Sequence, residues 1–253
     1  MRADIRESWS LDPATPITRQ ISRILRERII QVDLKPGDRL SESEVARFYD
    51  VSRQPVREAF IRLADQGLLA ILPQRGTIIS RIGYNAVLDA RFLREAIEAD
   101  IAKILAGQQD AAVIRELRAQ LDHQAQVGQD TPQDFFGYDD LFHRTLAEAA
   151  GKGGAWKQIE GLKSQMDRVR FLSLGQFPQR KLIAQHGAIV DAIERGAVPQ
   201  ANAAVRRHLR EVLSELPQIV AANAAYFELP EGALPQPVHA PIQGYAEDGL
   251  TSD

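Results

Sequence analysis

One aspartate and three histidines are placed so that they could bind a metal ion together. Asp139 and His143 are four residues apart in a segment with helical periodicity, so their side chains can point to the same side. His186 and His208 occur in two later segments of the same kind. One carboxylate and three imidazoles suit zinc, or another transition metal such as nickel, manganese or iron, with coordination positions left open. The same spacing also fits histidines that are only hydrogen-bonded in a core or at a surface.

The segments that carry these four residues have helical patterns and no convincing strand alternation. Glycine and proline mark the ends of each segment, so short loops should connect the helices into a bundle. The last 25 residues, 229–253, contain four prolines and three glycines and are predicted to be disordered. The predicted helices are 85–107, 110–127, 131–150, 155–174, 178–195 and 200–226.

A second group of residues, near the N-terminus, could contact DNA. Ser52 can cap a helix that ends near Gly67. Arg53 and Arg57 are one helical turn apart and lie near the face opposite its apolar residues. That is the position from which a recognition helix contacts DNA. The inward-facing apolar residues follow the spacing of an amphipathic helix and are Val56, Ala59, Phe60 and Leu63.

The elements around this helix predict a compact winged helix-turn-helix. A first helix begins at Ile17 and ends before the turn at Pro36-Gly37. Ser41 and Glu44 form a capping box that starts a short second helix. After the third helix, residues 68–80 read as a β-hairpin whose tip contains Arg75 and Gly76, as in a wing.

The charge distribution agrees with this division. The net charge is −3, but residues 1–82 hold 14 Lys and Arg against 11 Asp and Glu, whereas residues 83–253 hold 17 against 23. A basic patch suits phosphates, although a solvated charged face would look similar. The chain has no cysteine, which excludes disulfides and suits the cytoplasm. No apolar stretch approaches the ~18 residues of a membrane helix, so no membrane partner is expected.

The stretch LKPGDRLSESEVARFYDVSRQPVREAFIRLADQGLLAILPQRGTIIS resembles the winged helix-turn-helix of the GntR family of bacterial regulators. The resemblance covers nearly all of residues 16–82. It implies that Arg75 and Gly76 approach the minor groove. Members often have a basic residue at the position of Ser43, so that DNA contact is either missing in this chain or supplied by Arg47. The residues implied to approach the major groove are Arg53, Gln54, Pro55 and Arg57.

The segments FFGYDDLFHRTLAEAAGK and QHGAIVDAIERGAVPQANAAVRRHL are similar to the FCD ligand-binding domain of the FadR-like subgroup. This resemblance implies a divalent metal, most simply zinc, and a small carboxylate effector that occupies its open positions. Arg94 and Arg168 are the implied effector contacts, and the string MDRVRFLSL is similar to members that respond to sugar acids. His123 and His239 match no ligand position. The implied metal ligands are Asp139, His143, His186 and His208.

Together these observations predict a mainly α protein. After a flexible segment at 1–15, a winged helix-turn-helix at 16–82 precedes an all-helical domain at 83–228. The expected function is that of a cytoplasmic homodimeric regulator, by default a repressor, whose binding to operator DNA is controlled by a carboxylate. A metal-responsive regulator is an alternative. A metal-dependent hydrolase is a remote one, because no residue is marked as a general base and the DNA-binding unit would be unexplained.

Overall fold

The computed structural model describes residues 10–12, 14–130, 132–173 and 179–242, without the side chains of 128–130 and 132–134. The expected flexible segment at 1–15 therefore falls largely outside the described residues, as does the end of the expected disordered tail. The fold is mainly α, with an N-terminal winged helix-turn-helix and a C-terminal helical domain, which confirms the predicted fold class.

The N-terminal unit packs three helices against a small antiparallel sheet. The strand order is β1-β3-β2, and the β2–β3 hairpin pairs Leu69 with Ile79 and Leu72 with Gly76. The apolar face predicted for α3 is buried, with Val56 and Phe60 inaccessible to solvent. Ser52 precedes α3, but its side chain makes no capping hydrogen bond. The elements are α1 (Ile17–Ile30), β1 (Arg39–Leu40), α2 (Glu42–Phe48), α3 (Arg53–Asp65), β2 (Leu69–Leu72) and β3 (Gly76–Ile79).

The predicted cap of α2 is present, and its contribution can be measured. The Ser41 hydroxyl accepts a hydrogen bond from the Glu44 backbone N–H at 3.4 Å. We expect Ser41→Ala to lower the free energy of unfolding by about 1 kcal/mol, because that N–H loses its partner. Urea denaturation followed by circular dichroism would measure this loss. Ser43→Ala, inside the same helix, is the control, and an equal loss in both variants would contradict the role of the cap.

The C-terminal unit is a helical bundle around the long helix α4. Its main core contains apolar residues from α4, α5, α6, α7, α9 and α10, including Phe142, Trp156 and Leu209. The helices of this unit are α4 (Tyr84–Gln108), α5 (Ala111–Asp130), α6 (Pro132–Ala149), α7 (Gly153–Leu162), α8 (Ser164–Ser173), α9 (Gln179–Glu194) and α10 (Val198–Ala222).

Two features of this unit differ from the sequence-based expectation. The predicted helix 155–174 is two helices, α7 and α8, separated at Lys163. A parallel bridge joins β4 (Ile82–Gly83) to β5 (Phe227–Glu228), although residues 83–228 were predicted to be all helical. A strand of two residues has no periodicity from which it could be recognised.

Part of the tail expected to be disordered has defined contacts. The carbonyl of Val238 accepts a hydrogen bond from Arg91 Nη2, and the carbonyl of Ala240 accepts one from Arg210 Nη2. Both arginines also form ion pairs with the buried carboxylate of Glu95. The described tail residues therefore lie against α4 and α10.

Candidate DNA-binding surface and metal site

The residues implied to contact DNA lie on the outside of the N-terminal unit. Arg53, Gln54 and Arg57 are exposed on α3, and Arg75 and Gly76 are exposed at the tip of the hairpin. The Arg53 side chain is 69% exposed, and its guanidinium is 3.4 Å from Glu42 Oε2. Pro55 is only half-buried in the first turn of α3. Exposed guanidinium groups on both the helix and the wing leave this surface free to meet a duplex.

A cleft of about 570 Å³ separates the wing from the start of α3. Three arginines line it, Arg39, Arg53 and Arg75, together with two carboxylates, Glu42 and Glu44. Sequence reasoning missed Arg39, because its position on β1 becomes relevant only when β1 pairs with β3. Arg47, proposed to replace the basic residue missing at Ser43, is exposed on α2 and does not line this cleft.

The four predicted metal ligands come together in the C-terminal bundle. One ligand atom from each of Asp139, His143, His186 and His208 lies within 4.8 Å of the others, and all four residues are buried. The Nε2 atom of His208 is 3.1 Å from Nε2 of His143 and 3.3 Å from Nε2 of His186. Oδ1 of Asp139 is 3.4 Å from His186 Nε2. Ligands bound to one zinc ion at ~2.0–2.1 Å are themselves about 3 Å apart, so these separations fit a metal.

The hydrogen-bond partners of the histidines indicate which ring nitrogen carries the proton, and this also supports a metal site. His186 Nδ1 is 2.9 Å from Gln124 Oε1, and His208 Nδ1 is 3.1 Å from Gln185 Oε1. The amide nitrogens of these two glutamines donate elsewhere, to Tyr138 O and Glu211 Oε2, which fixes the amide oxygens toward the imidazoles. Each Nδ1 must therefore be the protonated nitrogen.

The third histidine lies against a carboxylate. His143 Nδ1 is 2.7 Å from Glu98 Oε2. Because Nδ1 of His186 and Nδ1 of His208 donate outward, the Nε2 lone pairs of these two residues and the Asp139 carboxylate face one another. These groups repel one another unless a cation lies between them. The residues present therefore fit a divalent metal ion.

Burial sets the charge state of this cluster. It lowers the pKa of His186 to about 3 and, together with His186 and His143, lowers the pKa of His208 well below its ordinary value. Burial alone would raise the pKa of Asp139, but the Arg170 guanidinium holds it well below its usual range. Neutral imidazoles and an ionised carboxylate are the forms that bind metals.

Two arginines adjoin the four predicted metal ligands. Arg94 Nε donates to Glu98 Oε1 at 2.6 Å, and Glu98 in turn holds His143. Burial would raise the pKa of Glu98, but Arg94 and His143 lower it to about 2, so it stays ionised. Arg170 forms an ion pair with Asp139. Sequence reasoning missed Glu98 and Arg170, because each is close to the ligands only in the folded bundle.

A cavity of about 30 Å³ adjoins the cluster and contains Arg94, Arg170 and His208 in its wall. This volume holds about two water molecules. Two carboxylates, Glu211 and Glu215, belong to the same wall, and burial and Glu211 raise the pKa of Glu215 to about 7. The apolar part of the wall consists of Phe135, Phe136, Met166, Leu182, Leu209 and Val212.

Arg168, the second implied effector contact, and the two histidines that match no ligand position do not line this cavity. Arg168 is buried; its Nη1 donates to Gln165 Oε1, and burial lowers its pKa to about 10. His123 and His239 are exposed. None of the described helices is both long enough and apolar enough to cross a membrane.

A winged helix-turn-helix joined to a helical domain with a buried ligand cluster defines a class of protein, the two-domain transcriptional regulators. The chain matches the description "Bacterial regulatory proteins, gntR family" over residues 17–79 and the FCD domain over residues 89–211.

Full-length relatives lead to the same family. The chain is 39% identical over 220 residues to the HTH-type transcriptional repressor RspR of Escherichia coli, covering 86% of this chain and 96% of that protein. It is 26% identical over 200 residues to a probable D-xylose utilization operon transcriptional repressor of Paenarthrobacter nicotinovorans, covering 79% and 88%. The chain belongs to the GntR family and has an FCD C-terminal domain. It is a DNA-binding transcriptional regulator and not an enzyme.

Solved structures agree on the fold. The E. coli protein McbR/YncC superposes with a TM-score of 0.69 at 19% identity, over 81% of this chain and 98% of that one. A GntR regulator from Rhodococcus gives a TM-score of 0.63 at 24% identity, over 82% and 99%.

Proposed function

We propose that this regulator is a homodimeric repressor that binds a divalent metal, most simply zinc, and responds to a small carboxylate bound beside it. The observation that carries the proposal is the set of three Nε2 atoms and one carboxylate that face one another in the bundle. When bound, the metal supplies a positive centre with open positions for carboxylate oxygens. Its ligands would be Asp139, His143, His186 and His208.

The chain's own residues would orient the effector. Arg94 has a buried Nη2 atom without a hydrogen-bond partner among the described residues, and it lines the cavity. A guanidinium with a free N–H pairs readily with a carboxylate. Arg170 lies in the same wall, next to Asp139. We therefore assign the effector carboxylate to the space between the metal ligands and these two arginines.

The opposite end of the cavity supports an effector with several hydroxyl groups. His208 and Glu215 are seven residues apart on α10, which is about 10 Å along the helix axis. Glu211 and Glu215 could accept hydrogen bonds from hydroxyls at that distance. A sugar acid has a carboxylate at one end and hydroxyl donors along its chain, and a relative is named for D-xylose utilization.

On the DNA side, a dimer would place two copies of α3 and the wing on two half-sites of an operator. The DNA contacts in this proposal are those implied by the family resemblance, with Arg39 added from the structure. We place the protein in the cytoplasm, where the operator is.

The proposed function is tested by measuring binding of the zinc-loaded full chain to the promoter DNA beside its own gene. We expect one or more organic or sugar acids to change the affinity by about five-fold or more, a typical size for coupling between two sites. If neither zinc nor any acid changed the affinity, the sensing function would be wrong.

The small cavity favours a second candidate function, in which the metal alone is the signal. Arg94→Lys separates the two, since lysine keeps the positive charge beside Glu98 but loses the planar fork that pairs with a carboxylate. For a carboxylate sensor we expect about ten-fold weaker acid binding with zinc binding unchanged, measured by calorimetry. For a metal sensor we expect the affinity for the acid and the affinity for zinc to be the same in Arg94→Lys as in the wild type. Arg91→Lys is the control, because Arg91 forms the same kind of ion pair one turn earlier on α4 but lies outside the cavity.

A further inference from the structure

Helix α8 contacts both the effector cavity and the DNA-binding unit. Met166, Arg170 and Ser173, at spacings of four and three, lie in the wall of the cavity. Gln165 and Asp167 lie on either side of these three residues and form hydrogen bonds with the DNA-binding unit. A single helix of ten residues therefore connects the two sites.

One of these bonds reaches the end of the recognition helix. Gln165 Nε2 donates to the carbonyl of Gly67 at 2.7 Å. Gly67 follows Gln66, the C-cap residue of α3, and has a positive φ of 69°, which places it in the turn that ends the helix. A β-carbon at this position would lie 3.3 Å from Gln165 Nε2, so the two segments are in close contact.

The second bond reaches α1. Arg26 Nη2 donates to Asp167 Oδ2 at 3.2 Å and to the carbonyl of Glu160 at 2.9 Å. Asp167 also accepts from Lys163 Nζ at 2.7 Å, and Lys163 contacts both carboxylate oxygens of Asp140 at 2.7 and 2.8 Å. Asp140 follows the predicted metal ligand Asp139 on α6, so this chain of ion pairs starts on a helix that also carries two of the predicted ligands.

The size of the cavity links these contacts to regulation. A space of about 30 Å³ admits only a few atoms, so a larger effector has to displace part of its wall. Packed cores respond to such displacement by shifts of whole elements, because they are not continuously deformable. A shift of α8 would move both Gln165 and Asp167.

We propose that Gln165 and Asp167 of α8 form a latch on Gly67 and Arg26, and that occupation of the effector cavity changes DNA affinity by shifting this latch. The proposal rests on the proposed function and adds the contacts through which the effector cavity acts on the DNA-binding unit. Ligand binding and its effect on DNA are then separable, since the latch residues do not line the effector cavity. Breaking the latch should leave each site able to bind but remove the coupling between them.

The test uses the full chain with Arg26→Ala and Gln165→Ala combined. The matched control is Arg19→Ala with Gln158→Ala, which removes the same side chains from exposed positions of α1 and α7. The probes are zinc alone and zinc with each acid of a panel that includes citrate and D-gluconate. Calorimetry measures probe binding, and fluorescence anisotropy measures the affinity for the promoter DNA with and without each probe.

We expect wild type and control to show the same probe-dependent change in DNA affinity, about five-fold or more. In the latch variant this change should fall below about two-fold, while probe binding persists. A latch variant that keeps the wild-type change would overturn the proposal. Loss of probe binding by that variant would also overturn it, since the latch would then belong to the binding site. If wild type binds no probe, the proposed function fails; if it binds a probe that leaves DNA affinity unchanged, the coupling proposal fails.

Discussion

His143→Ala and His186→Ala should each abolish stoichiometric zinc binding. Each removes one of the Nε2 atoms that converge on the cluster, and each leaves Glu98 or Gln124 without its imidazole partner. Loss of an outer partner alone costs about 10–100-fold in metal affinity, so loss of a ligand should cost about 100-fold or more. Calorimetric titration of the metal-free protein with zinc would measure this effect.

His123→Ala is the control for these variants, because His123 is exposed and is not one of the four residues of the cluster. Circular dichroism would establish that each variant folds. If both ligand variants bound zinc with wild-type affinity, the four residues would not form a metal site.

Replacing Arg53 and Arg57 together by alanine should weaken binding to promoter DNA by about 100-fold or more. Each arginine on the exposed face of the recognition helix is expected to contribute about 1–3 kcal/mol if it contacts a base edge. Loss of two positive charges should also reduce the dependence of the affinity on salt concentration. Fluorescence anisotropy at several salt concentrations would measure both quantities.

The matched control for this pair is Arg115→Ala, which removes an exposed arginine from α5 in the helical domain. Its DNA affinity should stay within about two-fold of wild type, since surface charges far from the duplex act only through screened interactions. A double variant that binds as tightly as this control would show that α3 does not face the DNA.

Elements with strong local signals could be predicted from the sequence. The capping box at Ser41 and Glu44, the apolar stripe of α3 and the hairpin around Arg75 all specify local structure within a few residues. The break at Lys163 was missed although Gly161 and Ser164 lie beside it, because a single glycine inside a helical pattern is often tolerated. In the structure Lys163 is buried and pairs with Asp140 and Asp167, contacts that depend on tertiary packing.

The candidate metal site likewise contains residues that could be predicted from the sequence and residues that could not. Asp139 and His143 could be paired from their spacing, because four residues on one helix fix their relative direction. Gln124 and Gln185, which orient two imidazoles, could not be found, because glutamine is common on helices and nothing in its neighbourhood marks a buried role. The cavity could not be predicted either, since its wall combines residues of α4, α6, α8, α9 and α10.

The parallel pairing of Ile82 with Phe227 has a consequence for how this protein can be rebuilt. It brings the entry and exit of the helical domain side by side, although more than 140 residues separate them along the chain. Domains whose two ends are adjacent can be grafted into another host with little distortion at the junction. The segment from β4 to β5 is therefore a natural unit for exchange, in which the sensor of one regulator is joined to the DNA reader of another.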